Sequence, residues 1–485
     1  MSLSPVRVLV LGLTVGATLA ACGLKQDVKD QLAQGGVDNG LGQTSGGLDP
    51  STGSGGSTTG TQLTTGGTTG VTGGATGSGT SGTTGSGTSG ATGSGTSGAT
   101  GSGTTGATSG STGGVTGTRT GIDDKNKVIH IALHGPLTGA GVPQSSFTSG
   151  TPKYWANHKL SNGYSVEAVA IDDKYNAADG LRACNAAADK NFLIIGGAGT
   201  DQISACAQSP KLRRLHVPYL SSGVTEAGLG GISSYFATSL TYKEQSPLLI
   251  KLAKDKGYFG KKWGMVITGT PNFADARDSM VAELVRNGAK GKAGAFSKGN
   301  DVYLTDKAPS NCSTVATQIR GGGYEVVYFL GQPSFFAQCV GSIGNGGPTQ
   351  AKPIYTGPGP SFGISSVITL ACAASGNQYE GYYLHPAPSW NQRQKYGAPD
   401  NLTDDIEVGI WGGMQQLHQS LELVLKNGPL TRESFIQASQ TASVPGGVLN
   451  PVSFTPTDHF GGSAAYANAA VCSSRLSNTI GIYRK

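Results

Sequence analysis

Residues 191–225, NFLIIGGAGTDQISACAQSPKLRRLHVPYLSSGVT, admit few folds. Phe192 to Ile195 form an apolar run of strand length without polar alternation, as expected of a parallel strand covered by helices on both faces. Gly196, Gly197 and Gly199 follow at once, and small residues there let the backbone approach a ligand. Thr200 stands where a helix N-cap belongs, so N–H groups and a hydroxyl share one crevice suited to a carboxylate or another small polar acceptor. Val217 to Leu220 read as the next strand. Ser221, Ser222, Gly223 and Thr225 then put hydroxyls at its C-terminal end, where open parallel sheets bind ligands.

The same alternation runs on both sides of this stretch. Val128–Leu133 and Val166–Ile171 read as strands, the second followed by an alanine-rich helix over 176–189, and Tyr235–Ser239 as another strand. The rhythm restarts with a helix over 243–256, a strand over Trp263–Thr268, a helix over Ala274–Arg286, and strands over Glu325–Leu330 and Pro353–Thr356. Two such sets predict an α/β protein of two similar lobes, each a mostly parallel sheet between helices, with a cleft and a hinge. Asp404–Leu425 is the longest helix expected, with Val408, Trp411, Leu417, Leu421 and Leu425 near one face and Asn427-Gly428-Pro429 as its stop. A shorter helix over 431–440 and short antiparallel strands over 447–454 and 464–483 complete the chain.

The N-terminal region follows other rules. Residues 44–121 are a Gly/Ser/Thr tether built on an eight-residue repeat, ATGSGTSG, which has no apolar surface to stack. As a Gly-rich coil it spans roughly 50 Å. Before it lie a polar segment, 22–43, and the apolar run Val8–Ala20, too short to span a bilayer but right for a signal-peptide core. Leu19-Ala20-Ala21-Cys22 resembles a bacterial lipobox, in which residues 1–21 are removed and Cys22 is acylated. An ordinary cleavage site beside a cysteine is the plainer alternative. Without Cys22, six cysteines remain in an exported chain, and three disulfides are expected. Cys184 and Cys206 fall on successive expected helices, as do Cys312 and Cys339, which leaves Cys372 with Cys472. This is a preference among fifteen connectivities.

Composition and motifs exclude several chemistries. Charged residues make up 13% and the net charge of +6 is not gathered into a basic stripe with aromatics, so nucleic acid is not a partner. The cysteine spacings lack close C-x-x-C pairs, and His130 and His134, on one strand face, lack a third ligand nearby; no metal or cofactor is expected. GPGPSFG has no P-loop Lys-Ser/Thr, and Asp172-Asp173 reads as a capping turn. No nucleophile, base and orienting acid emerge together, so the chain is not read as an enzyme.

The ordered succession of GPLTG, IIGG-AGT, VPYLSSG and TYKEQ resembles the type I solute-binding proteins of bacterial ABC importers, especially the branched-chain amino-acid and amide group, over residues 126–485. The resemblance implies lobe 1 over 122–240, lobe 2 over 241–395, a return to lobe 1 over 396–445 and a C-terminal segment, 446–485, closing lobe 2. It also implies a monomer anchored by lipid alone to the extracytoplasmic face of the cell membrane, which hands a small solute to permease subunits. The ligand-holding positions become Gly199, Thr200, Ser221, Ser222 and Thr225, with walls at Tyr242, Asn272, Phe273, Gln332 and Phe335. Members of the family that bind amino acids place an acid after the last lobe 2 strand; here that turn is Gly357-Pro358-Gly359-Pro360. Unless Asp201, Glu244 or Asp275 substitutes, a neutral or anionic solute is expected, because burying an ammonium without an anion is costly. The alternative is a surface sensor or adhesion module on the same fold.

Overall fold

The computed structural model describes residues 117–306, 311–344, 352–359, 362, 365–474 and 476–485. The expected signal peptide, Cys22, the polar segment and residues 44–116 of the tether lie outside the described residues. Among the described residues no helix is long and apolar enough to cross a membrane.

The first sheet is built from β1 (Ile122–Asp123), β2 (Val128–Gly135), β3 (Ser165–Asp172), β4 (Ile194–Gly196), β5 (Tyr219–Ser221) and β6 (Tyr235–Ala237). Its parallel strands run β3-β2-β4-β5-β6, with β1 antiparallel beside the start of β2. Between them lie α1 (Gln144–Thr148), α2 (Gly150–Trp155), α3 (Ala177–Ala187), α4 (Thr200–Ala207) and α5 (Pro210–Arg214). Side chains alternate across the sheet, so Ile194 and Tyr219 pack with Ile203 of α4 on one face while Ile129 and Ile131 pack with Tyr154 and Trp155 of α2 on the other.

The second sheet takes β7 (Trp263–Thr268), β10 (Val302–Thr305), β11 (Val326–Leu330), β12 (Ile354–Pro358) and β13 (Glu380–His385) in the parallel order β10-β7-β11-β12-β13. The small pair β8 (Lys290–Gly291) and β9 (Gly294–Ala295) stands apart. Helices α6 (Tyr242–Asp255), α7 (Ala274–Arg286), α8 (Lys298–Asp301), α9 (Ser313–Gly322), α10 (Pro333–Gly344) and α11 (Ser365–Ala374) complete this lobe. The chain then returns: α12 (Asp405–Asn427) lays Val408, Trp411, Leu417 and Leu421 into the first lobe's core, and α13 (Arg432–Ser439) follows. Asp404 caps α12 through the Glu407 N–H at 2.9 Å.

The hairpin β14 (Ser443–Val444) with β15 (Val452–Ser453) packs on Phe236, and Phe460 bridges Ala237, so the first lobe keeps the chain well beyond residue 445. Only β16 (Ala464–Val471) and β17 (Leu476–Arg484) join the second sheet, antiparallel to β13. The folded region also begins earlier than residue 122. Thr118 donates to both oxygens of Glu433, Arg119 donates to Leu430 O at 3.0 Å, and the Arg432 N–H donates to Thr118 O at 3.0 Å. Those bonds dock residues 118–119 onto the start of α13.

The disulfides are Cys184–Cys206, Cys312–Cys339 and Cys372–Cys472, with Cα separations of 5.8, 4.9 and 5.4 Å. Each joins parts of one lobe: α3 to α4, the start of α9 to α10, and α11 to the turn after β16. His134 lies beside Cys184 and Cys206, but both sulfurs are committed to the disulfide, which removes them as metal ligands.

Candidate functional site

Strand ends converge on one cavity. The loops after β4, β5, β6, β11, β12 and β13 meet the start of α6, Phe273 and one face of α12 around a space of about 180 Å³ for the centres of water-sized molecules. Its wall is mainly apolar, with Phe147, Ile195, Leu220, Phe236, Phe273, Leu330, Leu384, Ile406 and Ile410 among its members. Hydrogen bonds between the lobes shut part of the rim. Asp201 accepts from the Thr270 hydroxyl and the Asn272 amide, each at 2.6 Å, and Asp275 accepts from the Thr225 hydroxyl at 2.9 Å and the Glu226 N–H at 2.7 Å.

Of the residues expected from sequence, Gly199, Thr200, Ser221, Ser222, Tyr242, Phe273 and Gly359 line this cavity. The local reading of the first crevice needs one change: Gly199, at φ 87°, is the N-cap of α4, and Thr200 is its first helical residue. Glycine takes that backbone conformation without strain, while Thr200 spends its hydroxyl on the Tyr242 phenol across the cleft. The Ser221 hydroxyl donates to Ser222 O at 2.8 Å and lies 3.1 Å from the Tyr235 hydroxyl. Ser222 is half-buried on the wall.

Thr225, Asn272, Gln332 and Phe335 are not on the cavity wall. The first two serve the bonds between lobes just described. Gln332 donates to Gly139 O at 3.1 Å, a further bond between lobes. Phe335, 2% exposed, faces inward from the first turn of α10 and packs on Phe329, a core role. His134 is likewise off the cavity wall, buried between Asp173, 3.0 Å from its Nδ1, and the Tyr219 hydroxyl.

Charge is scarce inside. Among the described residues of the wall, Asp405 is the one carboxylate and His385 the one imidazole. Burial pushes Asp405 up to about 8, with the neighbouring Asp404 adding to the rise, although the Trp390 N–H donates to it at 2.6 Å. Burial lowers His385 to about 4. At neutral pH both groups are therefore uncharged. A Cβ at Gly359 would strike the His385 ring and come within 2.8 Å of Leu384 O, so His385 occupies the space an acid at position 359 would need. The substitutes are engaged elsewhere: Asp201 and Asp275 between the lobes, and Glu244 in the capping box of α6 and an ion pair with Lys485. Two buried acceptors on the wall, Gln245 Oε1 and Gln416 Oε1, have no partner, while their amide nitrogens donate to Leu240 O and Asn450 O.

Sequence reasoning did not find His385, Asp405, Gln245 or the α12 wall. The heptad-like face of α12 pointed to the core correctly, but its cavity face carries Gly409 and Gly413, which with Gly412 make an unusual glycine density for a helix interior and the signal that was there to use.

The sequence matches the model of a family described as periplasmic binding protein over residues 128–470, more than two thirds of the chain. No curated protein matches it. Among solved structures, a solute-binding protein of an ABC transporter from R. palustris, in complex with 4-hydroxybenzoate, is 19% identical, with 74% of this chain and 97% of that chain covered at a TM-score of 0.57. A fatty acid ABC transporter substrate-binding protein from Thermomonospora curvata is 17% identical, covering 76% and 95% at 0.59. A branched chain amino acid ABC transporter protein from Thermus thermophilus with bound valine is 18% identical, covering 74% and 97% at 0.56. At such identities the structures speak for the fold, and the family match carries the assignment: this chain, with its two α/β lobes around one cavity, belongs to the periplasmic binding protein family.

Proposed function

We propose that this chain is the lipid-anchored, extracytoplasmic solute-binding component of an ABC importer and that its solute is a neutral or singly anionic organic molecule with an apolar body. The observation that carries the ligand class is the cavity wall, which is mainly apolar and, among the described residues, offers an ammonium no ionised partner at neutral pH. The Ser222 hydroxyl and the N-terminus of α4 stand on the same wall, suited to a carboxylate or carbonyl oxygen, and burial of the remainder supplies affinity. Relatives of the same fold, one in complex with 4-hydroxybenzoate and one a fatty acid transporter's substrate-binding protein, support this reading, and the one with bound valine marks the competing class.

Calorimetry on the full chain with a panel of aromatic and aliphatic monocarboxylates, their amides, and valine, leucine and isoleucine tests it. Saturable binding of acids or amides with no heat from the amino acids is expected. Tight valine binding that disappears in Asp201→Asn or Asp275→Asn would overturn the reading, since one of these carboxylates would then hold the ammonium. The anchor rests on the Leu19–Cys22 pattern. Cys22→Ser should remove acylation and shift the protein out of the membrane fraction; a variant that sediments with membranes like the parent would refute it. The tether would then hold the lobes away from the bilayer.

A further inference from the structure

Taking the cleft as a site for an organic acid or its neutral relative, we propose that the cavity continues into the first lobe as a single-file channel for an unbranched aliphatic chain. The floor is one row of the first sheet, where register sets Ile195 beside Leu220 and Leu220 beside Phe236. All three line the cavity, and Ile195 and Leu220 are only partly buried although their strands are central. The roof is α12. Gly409 and Gly413, four residues apart and so on one face of the helix, line the same cavity as the row.

These two glycines have no local reason to be glycine. Neither has a positive φ. A Cβ at Gly413 would meet nothing within 4 Å, and one at Gly409 only the Ala387 Cβ at 4.0 Å. Gly412 differs, because its Cβ would lie 2.8 Å from Leu449 Cγ, so close packing explains it. Glycine is a poor helix former, and what positions 409 and 413 gain is room above the backbone.

The cavity's wall is long enough for an extended chain. The α12 residues on its wall run from Asp405 to Ser420, about 22 Å at 1.5 Å per residue. Ser222, just beyond the C-terminal end of β5, and Val452 and Phe454, at and just after β15, line the same wall. The solute is therefore a straight-chain monocarboxylic acid or its amide, head in the cleft and tail beneath α12.

Calorimetry of the full chain with hexanoate through tetradecanoate reads this directly. Affinity in the parent should tighten by about fourfold per added methylene until the bore is full. Gly413→Leu should plug the channel, weakening dodecanoate at least tenfold while hexanoate stays within twofold. Gly409→Leu serves as an independent plug should the first variant misfold, and Gly413→Ala should change little. An affinity that ignores chain length in the parent, or dodecanoate binding untouched by either plug, would overturn the channel while leaving the cleft reading intact. Failure of every acid and amide to bind the parent is a different result and removes the cleft reading itself.

Discussion

Arg432→Met should lower the unfolding free energy by about 3–5 kcal/mol, a large share of what a domain of this kind holds in reserve. Arg432 is 1% exposed and starts α13. Its Nε donates to Phe192 O at 3.1 Å, Nη1 to Leu215 O at 3.0 Å, and Nη2 to Ala188 O at 2.6 Å and to Asn191 O. One guanidinium thus ties α13 to the end of α3, the entrance of β4 and the end of α5. Burial holds its pKa down to about 10, still far above neutrality, so it remains a cation met by carbonyl oxygens. Hydrogen bonds to a charged group contribute about 1.5–3 kcal/mol each, and methionine would strand several buried carbonyls at once. Lysine should recover only part of the loss, because an ammonium cannot present the planar fork that reaches four oxygens. Urea titrations of the parent and both variants decide it. A loss under about 1 kcal/mol for Arg432→Met would mean that water replaces the guanidinium and that the network is incidental.

That network also shows where sequence legibility ended. The elements themselves could be read because their signals are local. Trp263–Thr268 and Ala274–Arg286 have the bounds expected, each framed by turn residues, and the three disulfides pair neighbouring helices or tie down the C-terminal segment. The seven site residues that do meet at the cavity sit at strand C-termini or just beyond, a position topology dictates. Misreadings came from side-chain direction and from partners distant in sequence. Phe335 follows a strand like the others but turns into the core, and Thr225 and Asn272 face the right gap yet bond across it to Asp275 and Asp201. In the sequence Asp405 stood only as part of the helix expected over Asp404–Leu425. Only the fold brings it against Tyr383, Ser477 and the Trp390 N–H at the cavity's edge.

Stability should decline as pH rises from about 6.5 to 8, by on the order of 2 kcal/mol, and Asp405→Asn should abolish the decline. Asp405 has a folded pKa of about 8 against an unfolded value of about 3.9, so between these the folded chain keeps a proton that the unfolded chain has released. The unfolded state then binds fewer protons, and stability falls with rising pH. His385 acts in the opposite sense. Its folded value of about 4 lies below the unfolded value of about 6.5, so its contribution is complete above 6.5 and is lost as pH falls toward 4. The two nearly cancel between about 4 and 6.5, which leaves Asp405 alone above that window. His385→Gln should accordingly extend the decline down to about pH 4. The same proton governs the cavity. Above about pH 8 an ionised Asp405 would stand in the wall facing a carboxylate solute in a medium poor in water, where like charges repel strongly. Dissociation constants for an acid should then rise by up to tenfold per pH unit, while those for its amide stay flat, and Asp405→Asn should remove the rise for the acid. Parallel pH profiles for acid and amide in the parent, or a rise that persists in Asp405→Asn, would show that Asp405 does not face the bound solute.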